Sequence, residues 1–225
     1  MKYHIEFDID FRRNPYKGIY IALEGIDGSG KSTQVERLKE YFQKKGKEVV
    51  TTREPRKTEG IIGKMVQEIL YGNIKVPSVA FQYLFSADRA MNHEELILPS
   101  LKAGKVVISD RCFWSAVPYG VLDRGGDSVE SENMMGLVSQ SILSMYNQFT
   151  LPDYTIYLDV SSTTAMQRID EIDGKKEIYE DQKKLATIHK VYSWLVEQFP
   201  QEFIVIKGKQ PVEKITKEII SNIKK

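Results

Sequence analysis

The amino-acid sequence predicts an α/β protein, a five-stranded parallel sheet with helices on both faces, and three observations carry that prediction. From Gly18 onward, short apolar runs alternate with stretches of helical period, the pattern of strands joined by crossover helices. Two of the runs, Val106-Val107-Ile108 and Phe203-Ile204-Val205-Ile206, are nearly continuous in apolar residues, as strands covered on both faces are. The chain has 225 residues, 41% of them apolar, enough for one domain with a sizeable core.

Residues 2–11 alternate, with Tyr3, Ile5, Phe7, Ile9 and Phe11 on one face and Lys2, His4, Glu6, Asp8 and Asp10 on the other. That period predicts an extra N-terminal edge strand with one wet face. Arg12-Arg13-Asn14-Pro15 ends it, so residues 1–17 read as an extension ahead of a main domain over 18–225. Strands of that domain are expected at 19–23, 48–52, 106–109, 154–159 and 203–207. Helices are expected at 33–45, 60–71, 78–98, 130–148, 162–169, 178–199 and 211–223. The first helix places Val35, Leu38 and the Tyr41-Phe42 pair on one side, with Gly46 where a C-terminal cap belongs.

Composition removes several classes of function. Thirty-two basic and 31 acidic side chains leave a net charge of +1, so nothing draws the whole molecule to nucleic acid or an anionic membrane. A single cysteine, Cys112, excludes a disulfide framework, and the spacing of His4, His93 and His189 excludes a zinc site. No apolar run approaches the roughly 18–20 residues of a membrane span, and Glu6, Asp8 and Asp10 are out of place in a signal peptide. The expectation is a soluble protein of the reducing cytoplasm.

The sharpest motif is Gly25-Ile26-Asp27-Gly28-Ser29-Gly30-Lys31-Ser32, a full match to G-x-x-x-x-G-K-[ST], with a strand expected before it and a helix from Thr33 after it. Glycines let successive backbone N–H groups converge on a phosphate, the helix N-terminus adds partial positive charge, and Lys31 adds a full one. Ser32 offers a hydroxyl to Mg²⁺. Residues 25–33, from Gly25 to Thr33, are therefore assigned to a nucleoside triphosphate, with Lys31 as a catalytic cation.

A GTPase would carry Asp-x-x-Gly after a strand and a later Asn-Lys-x-Asp. Asp123-Arg124-Gly125-Gly126 imitates the first but follows a Pro-Gly loop, and the second is missing. A hydrolytic ATPase commonly has Glu after the Asp that ends its second motif strand, whereas here Arg111 follows Asp110. A cation in that place suits a second phosphate better than an attacking water. Arg53 and Arg111 both follow strands, and in such sheets ligands bind at the carboxyl ends of strands. Two guanidiniums there can grip an acceptor phosphate bidentately, although either arginine taken alone is more often a solvated surface charge.

The chain resembles the thymidylate kinase family. The likeness rests on residues 24–33, on Thr52-Arg53-Glu54-Pro55, on Leu84-Phe85-Ser86-Ala87-Asp88-Arg89, on Asp110-Arg111 with Ser115 and Tyr119, and on residues 151–159. It implies the three-layer P-loop kinase fold, ATP as donor and dTMP as acceptor, Mg²⁺ at Ser32 and Asp110, and a homodimer formed by helix packing. It also implies that Phe85 stacks on the pyrimidine, Arg89 bonds the base edge, Arg111 holds the acceptor phosphate with Arg53 nearby, and Asp27 reaches the 3′-OH or the metal region. Ser115 and Tyr119 would lie beside base and sugar, the Tyr119 ring leaving little room for a 2′-OH. Phe85 and Arg89 are four apart and share a helical face, a spacing that a core phenylalanine would also satisfy. Candidate dimer residues are Met134, Leu137, Val138 and Met145, which read equally as core.

The sequence departs from the family in places. The Gly-Gly of Arg-Glu-Pro-Gly-Gly-Thr is Arg56-Lys57 here, two cations that suggest added phosphate contacts; the aromatic after Asp-Arg is Cys112, read as a small buried filler; and the Gln after Tyr119 is Gly120. A basic lid over 168–178 carries Arg168, Lys175 and Lys176, lysine lacking the bidentate fork of arginine. Two other readings remain: a deoxynucleoside kinase, with Glu54 deprotonating a neutral 5′-OH, and a catalytically silent nucleotide-binding regulator.

Overall fold

The computed structural model describes residues 10–125, 132–172 and 174–223, apart from the side chains at 132–134. The five strands are β1 (Ile19–Glu24), β2 (Val49–Arg53), β3 (Val106–Asp110), β4 (Tyr154–Asp159) and β5 (Phe203–Lys207). All pair in parallel, in the order β2-β3-β1-β4-β5. Helices α1 (Lys31–Lys44), α2 (Gly60–Leu70), α3 (Ser78–Asn92), α4 (Leu98–Lys102), α5 (Ala116–Gly125), α6 (Glu132–Leu143), α7 (Ser162–Asp170), α8 (Gln182–Gln198) and α9 (Val212–Ile223) make the crossovers and flanking layers.

Successive residues of a strand face opposite sides, so one strand feeds two cores. Ile21 and Leu23 pack with Val35 and Leu38 of α1 and Ile215 and Ile219 of α9. Tyr20 and Ala22 face a larger core with α3, α5 and α8. This is the predicted three-layer arrangement. The continuous apolar run of β5 nonetheless does not mean burial on both faces: β5 is an edge strand paired only with β4, and Val205 is 46% exposed. β3, β1 and β4 are the buried strands, because the order encloses them between β2 and β5.

Other boundaries moved. The helix expected at 78–98 is α3 followed by a π-helical turn, His93–Ile97, and then α4. The stretch after Asp110, read as a Pro-Gly loop, is a 3₁₀ turn (Phe113–Ser115) running into α5, with Pro118 tolerated in the first helical turn. Residues 130–131 of the expected 130–148 helix, and the Met134 side chain, lie outside the described residues. So does the 2–9 part of the edge strand expected over 2–11; Asp10 and Phe11 are not in a strand, and Arg12 forms an isolated parallel bridge, to Thr150. No helix among the described residues is long and apolar enough to cross a membrane.

Candidate active site

The glycine turn sits between β1 and α1, at the carboxyl edge of the sheet. Gly28 has φ +75°, and a Cβ there would stand 2.4 Å from the Ala165 carbonyl of α7, so both conformation and close packing demand glycine. Lys31 Nζ donates to the carbonyls of Gly25 (3.1 Å) and Ile26 (2.9 Å). Burial, and then the charge of Arg111, lower its pKa to about 8. Ser32 Oγ donates to Asp110 Oδ2 at 2.6 Å; the β1–β3 register brings Asp110 beside Leu23 and hence beside the loop. Two hard oxygen donors in this position fit a Mg²⁺ ion that keeps phosphate and water as its other ligands.

Arg111 is, among the described residues, the non-glycine with positive φ, 77°. A side chain forced into that region costs about 1–3 kcal/mol. The conformation turns the guanidinium back over the phosphate loop. Its NH1 meets the Gly25 carbonyl (2.8 Å), Tyr192 OH (3.1 Å) and Ser115 Oγ (3.2 Å), while NH2 reaches Asp27 Oδ1 and Tyr119 OH, both at 2.7 Å. Tyr119 OH in turn donates to Asp27 Oδ2 at 2.8 Å. Burial opposes ionisation of Asp27, but the charges of Arg111 and Lys31, with the Tyr119 bond, outweigh it and hold this carboxyl well below the ordinary range. Asp27 lines the same cleft as Arg111 and Tyr119, and its hydrogen-bond partners are these two and not the Ser32–Asp110 pair.

All seven residues assigned to the acceptor line one cleft: Asp27, Arg53, Phe85, Arg89, Arg111, Ser115 and Tyr119. Arg53 ends β2, exposed, and Phe85 and Arg89 share a face of α3. Phe85 packs on Phe81 with ring centroids 4.3 Å apart and keeps an edge on the cleft. Arg89 is buried and braced: Nε donates to Glu54 Oε2 at 2.7 Å and NH1 to Tyr146 OH at 3.1 Å. Burial raises the Glu54 pKa to about 7 against the pull of Arg89.

Several expectations change. Arg56 does not face the cleft; its guanidinium is buried against Asp88 (3.4 Å) and Glu95 (3.1 Å). Lys57 does line it, paired with Glu177 across the mouth. Arg168 is a residue of α7 whose side chain reaches the carbonyls of Gly28 and Ser29, both at 3.3 Å, and of Gly208 at 2.9 Å. Lys175 and Lys176 are not brought to the glycine turn: Lys175 bonds Asn73 (2.7 Å) over the Tyr71 ring, and Lys176 pairs with Asp170 (2.6 Å). Cys112 is a buried filler, its N–H donating to Glu24 Oε1 at 2.9 Å. Glu54, offered as a base, has its two oxygens taken by Arg89 and Asn92.

The sequence reading missed the group beneath the site. Glu24 is fully buried at the tip of β1 and accepts from Cys112 N, Ser115 Oγ and Tyr192 OH. A buried carboxylate is tolerable only when so satisfied. A charge closing an apolar strand just before the glycine turn was the available signal. Tyr192 had none, since its spacing from Ile188 and Leu195 on α8 reads as core.

A glycine-turn cradle, a hydroxyl–carboxylate pair and an arginine-lined second cleft on a parallel sheet define a P-loop phosphotransferase acting between two bound phosphates. The thymidylate kinase family model matches residues 23–219. A thymidylate kinase of Thermoanaerobacter sp. (strain X514) is 35% identical over 215 residues, covering 93% of this chain and 98% of its own. A probable thymidylate kinase of Thermococcus kodakarensis is 36% identical over 216 residues (91% and 97%), and a thymidylate kinase of Bifidobacterium longum 33% over 212 (92% and 98%). The chain belongs to the thymidylate kinase family. It is accordingly a nucleoside monophosphate kinase, with dTMP as acceptor and ATP as phosphoryl donor.

Proposed function

We propose that the chain moves the γ-phosphoryl of ATP to the 5′-phosphate of dTMP with Lys31 and Arg111 as the principal catalytic cations, Asp27 and Arg53 beside them. One observation carries the reading: Asp27 is a residue of the phosphate loop, Arg111 bonds that loop at the Gly25 carbonyl, both line the acceptor cleft, and a 2.7 Å ion pair joins them, so donor cradle and acceptor cleft share a wall. Phe85 and Arg89 receive the base, Ser115 and Tyr119 flank the sugar, and Arg111 with Arg53 receives the acceptor phosphate. Ser32 and Asp110 would hold Mg²⁺, which when bound neutralises charge on the donor phosphates. Arg168, beside Ser29 and Gly30 in a second cleft, serves the donor.

The acceptor phosphate is largely dianionic at neutral pH, its second pKa being about 6, so no general base is required. Catalysis reduces to holding two polyanions in line and offsetting charge as it moves. Lys57 and Glu177 close the mouth of the cleft, and Lys175 and Lys176 approach the transferring group only by movement of the 168–178 lid. The reading treats 18–225 as one cytoplasmic unit that forms a homodimer, supported by exposed Val79, Tyr83 and Leu137 on α3 and α6; Val138 is core.

A coupled ADP-release assay against dTMP, dUMP, thymidine and no acceptor tests it. Turnover is expected with dTMP, with dUMP lower by about 10–200-fold for one methyl group. Turnover with thymidine but not dTMP would sink the reading in favour of a nucleoside kinase. The lowered pKa of Lys31 gives a second expectation. Above about 8 the free enzyme loses the proton on which phosphate binding depends, so kcat/KM for ATP falls as pH rises through that value. Lys31→Arg, always charged, should move the fall beyond about pH 10; a wild-type profile flat to that pH would contradict the assignment.

A further inference from the structure

We propose that Gln82 reads the acceptor base, its Oε1 accepting the N3–H of a thymine or uracil ring while Arg89 donates to the carbonyl at C4. The inference rests on reading the Phe85 cleft as the acceptor base site. Gln82 lies three residues before Phe85 and seven before Arg89, on one face of α3, and lines the same cleft. It is 1% exposed.

The orientation of its amide follows from its neighbours. Nε2 approaches Asp123 Oδ2 at 3.4 Å, and Asp123 also accepts from Tyr179 OH at 2.9 and 2.8 Å. A carboxylate receiving a tyrosine hydroxyl presents acceptors, so the amide turns its NH₂ toward Asp123 and its carbonyl away. Among the described residues that carbonyl, Oε1, has no hydrogen-bond partner. A buried acceptor left unpaired is costly, and an N–H supplied by a ligand in the cleft would satisfy it.

Gly120 leaves the room. A Cβ at that position would stand 2.4 Å from Ile142 Cδ1 and 3.1 Å from Gln82 Nε2, so a side chain on α5 would press on Gln82 in its present place. The amide usual to the family after Tyr119 is absent, and the amide at the cleft comes from α3 instead. Arg89, braced by Glu54 and Tyr146, is a fixed donor, and Gln82 Oε1 is a fixed acceptor. Thymine and uracil present the complementary pair, N–H at N3 and carbonyl at C4. Cytosine inverts both.

The test uses dTMP and N3-methyl-dTMP as acceptors for the wild type, Gln82→Leu and Gln82→Met. Wild type is expected to prefer dTMP by about 100-fold or more in kcat/KM, a buried polar site being left unpaired by the methylated base. In both variants dTMP should lose about 10–100-fold, chiefly through KM, while N3-methyl-dTMP changes less than about threefold, so the preference collapses. Equal losses on both acceptors would overturn the role of Gln82. So would a wild type indifferent to the methyl group, a measurement that needs no variant to fold. A wild type inactive on dTMP itself would instead sink the acceptor-cleft reading, which the other outcomes leave standing.

Discussion

Replacing Lys31 by alanine is expected to lower kcat on the order of 10²–10³-fold while KM for dTMP stays within about threefold. Lys31 is the cation of the glycine turn, held by the Gly25 and Ile26 carbonyls, and it does not line the acceptor cleft. Its charge matters most where negative charge shifts during transfer, which is a transition-state interaction and shows in kcat. Phe85→Ala supplies the contrast. In the proposed reading Phe85, which lines the cleft, offers one ring to the base, and an aromatic stack is worth roughly 1–3 kcal/mol in both ground and transition states, so its loss should raise KM for dTMP about 5–150-fold with kcat little changed. Steady-state kinetics of both variants with each substrate varied separates the two. Equal losses of kcat in both would contradict the division of roles.

Arg111→Ala should abolish measurable turnover and destabilise the protein by about 3–5 kcal/mol, the range for removing one partner of a buried ion pair. The guanidinium lies among Asp27, Tyr119, Ser115 and Tyr192, above the buried Glu24. Its removal strands a carboxylate and leaves two tyrosine hydroxyls and the Gly25 carbonyl short of a partner. Arg111→Lys keeps the charge without the planar fork, so stability should largely return while activity stays well below wild type. The pH dependence carries a sign. The Asp27 pKa is depressed in the fold, so its contribution to stability is present above the unfolded value, about 4, and is lost as pH falls through the lower folded value. The gap between wild type and Arg111→Ala should therefore be full above about pH 4 and narrow below it. Urea unfolding across that range checks this; a gap that widens toward acid would refute the Arg111–Asp27 linkage.

How far the site could be read in advance depended on whether a residue's task leaves a local mark. The glycine turn does, because backbone amides must converge and only that spacing lets them. Arg53 and Arg111 do so only as a pair, since one arginine after a strand is more often a solvated charge and it is two of them beside a glycine turn that point to an anion. Arg56 and Lys57 show the limit. They are adjacent and both cationic, yet Arg56 turns inward to Asp88 and Glu95 while Lys57 faces the cleft. The direction of each side chain is set by partners some 30 to 120 residues away. Val205 makes the same point for burial, since an apolar run looks alike whether its strand is enclosed or at the edge.

The sequence by itself determined the alternation of strands and helices and the glycine turn, because each is written in short-range spacing and residue type, whereas Phe85, Arg89, Ser115 and Tyr119 are singled out by resemblance to the thymidylate kinase family. Only the tertiary structure decided the strand order that leaves β5 at the edge, the Glu24–Tyr192–Ser115 group beneath Arg111, the brace of Glu54 on Arg89, and the Gln82 amide in the space beside Gly120. Those are contacts between segments far apart in the chain. What a buried polar group faces is settled by packing and hydrogen-bond satisfaction across elements, and no local pattern encodes it.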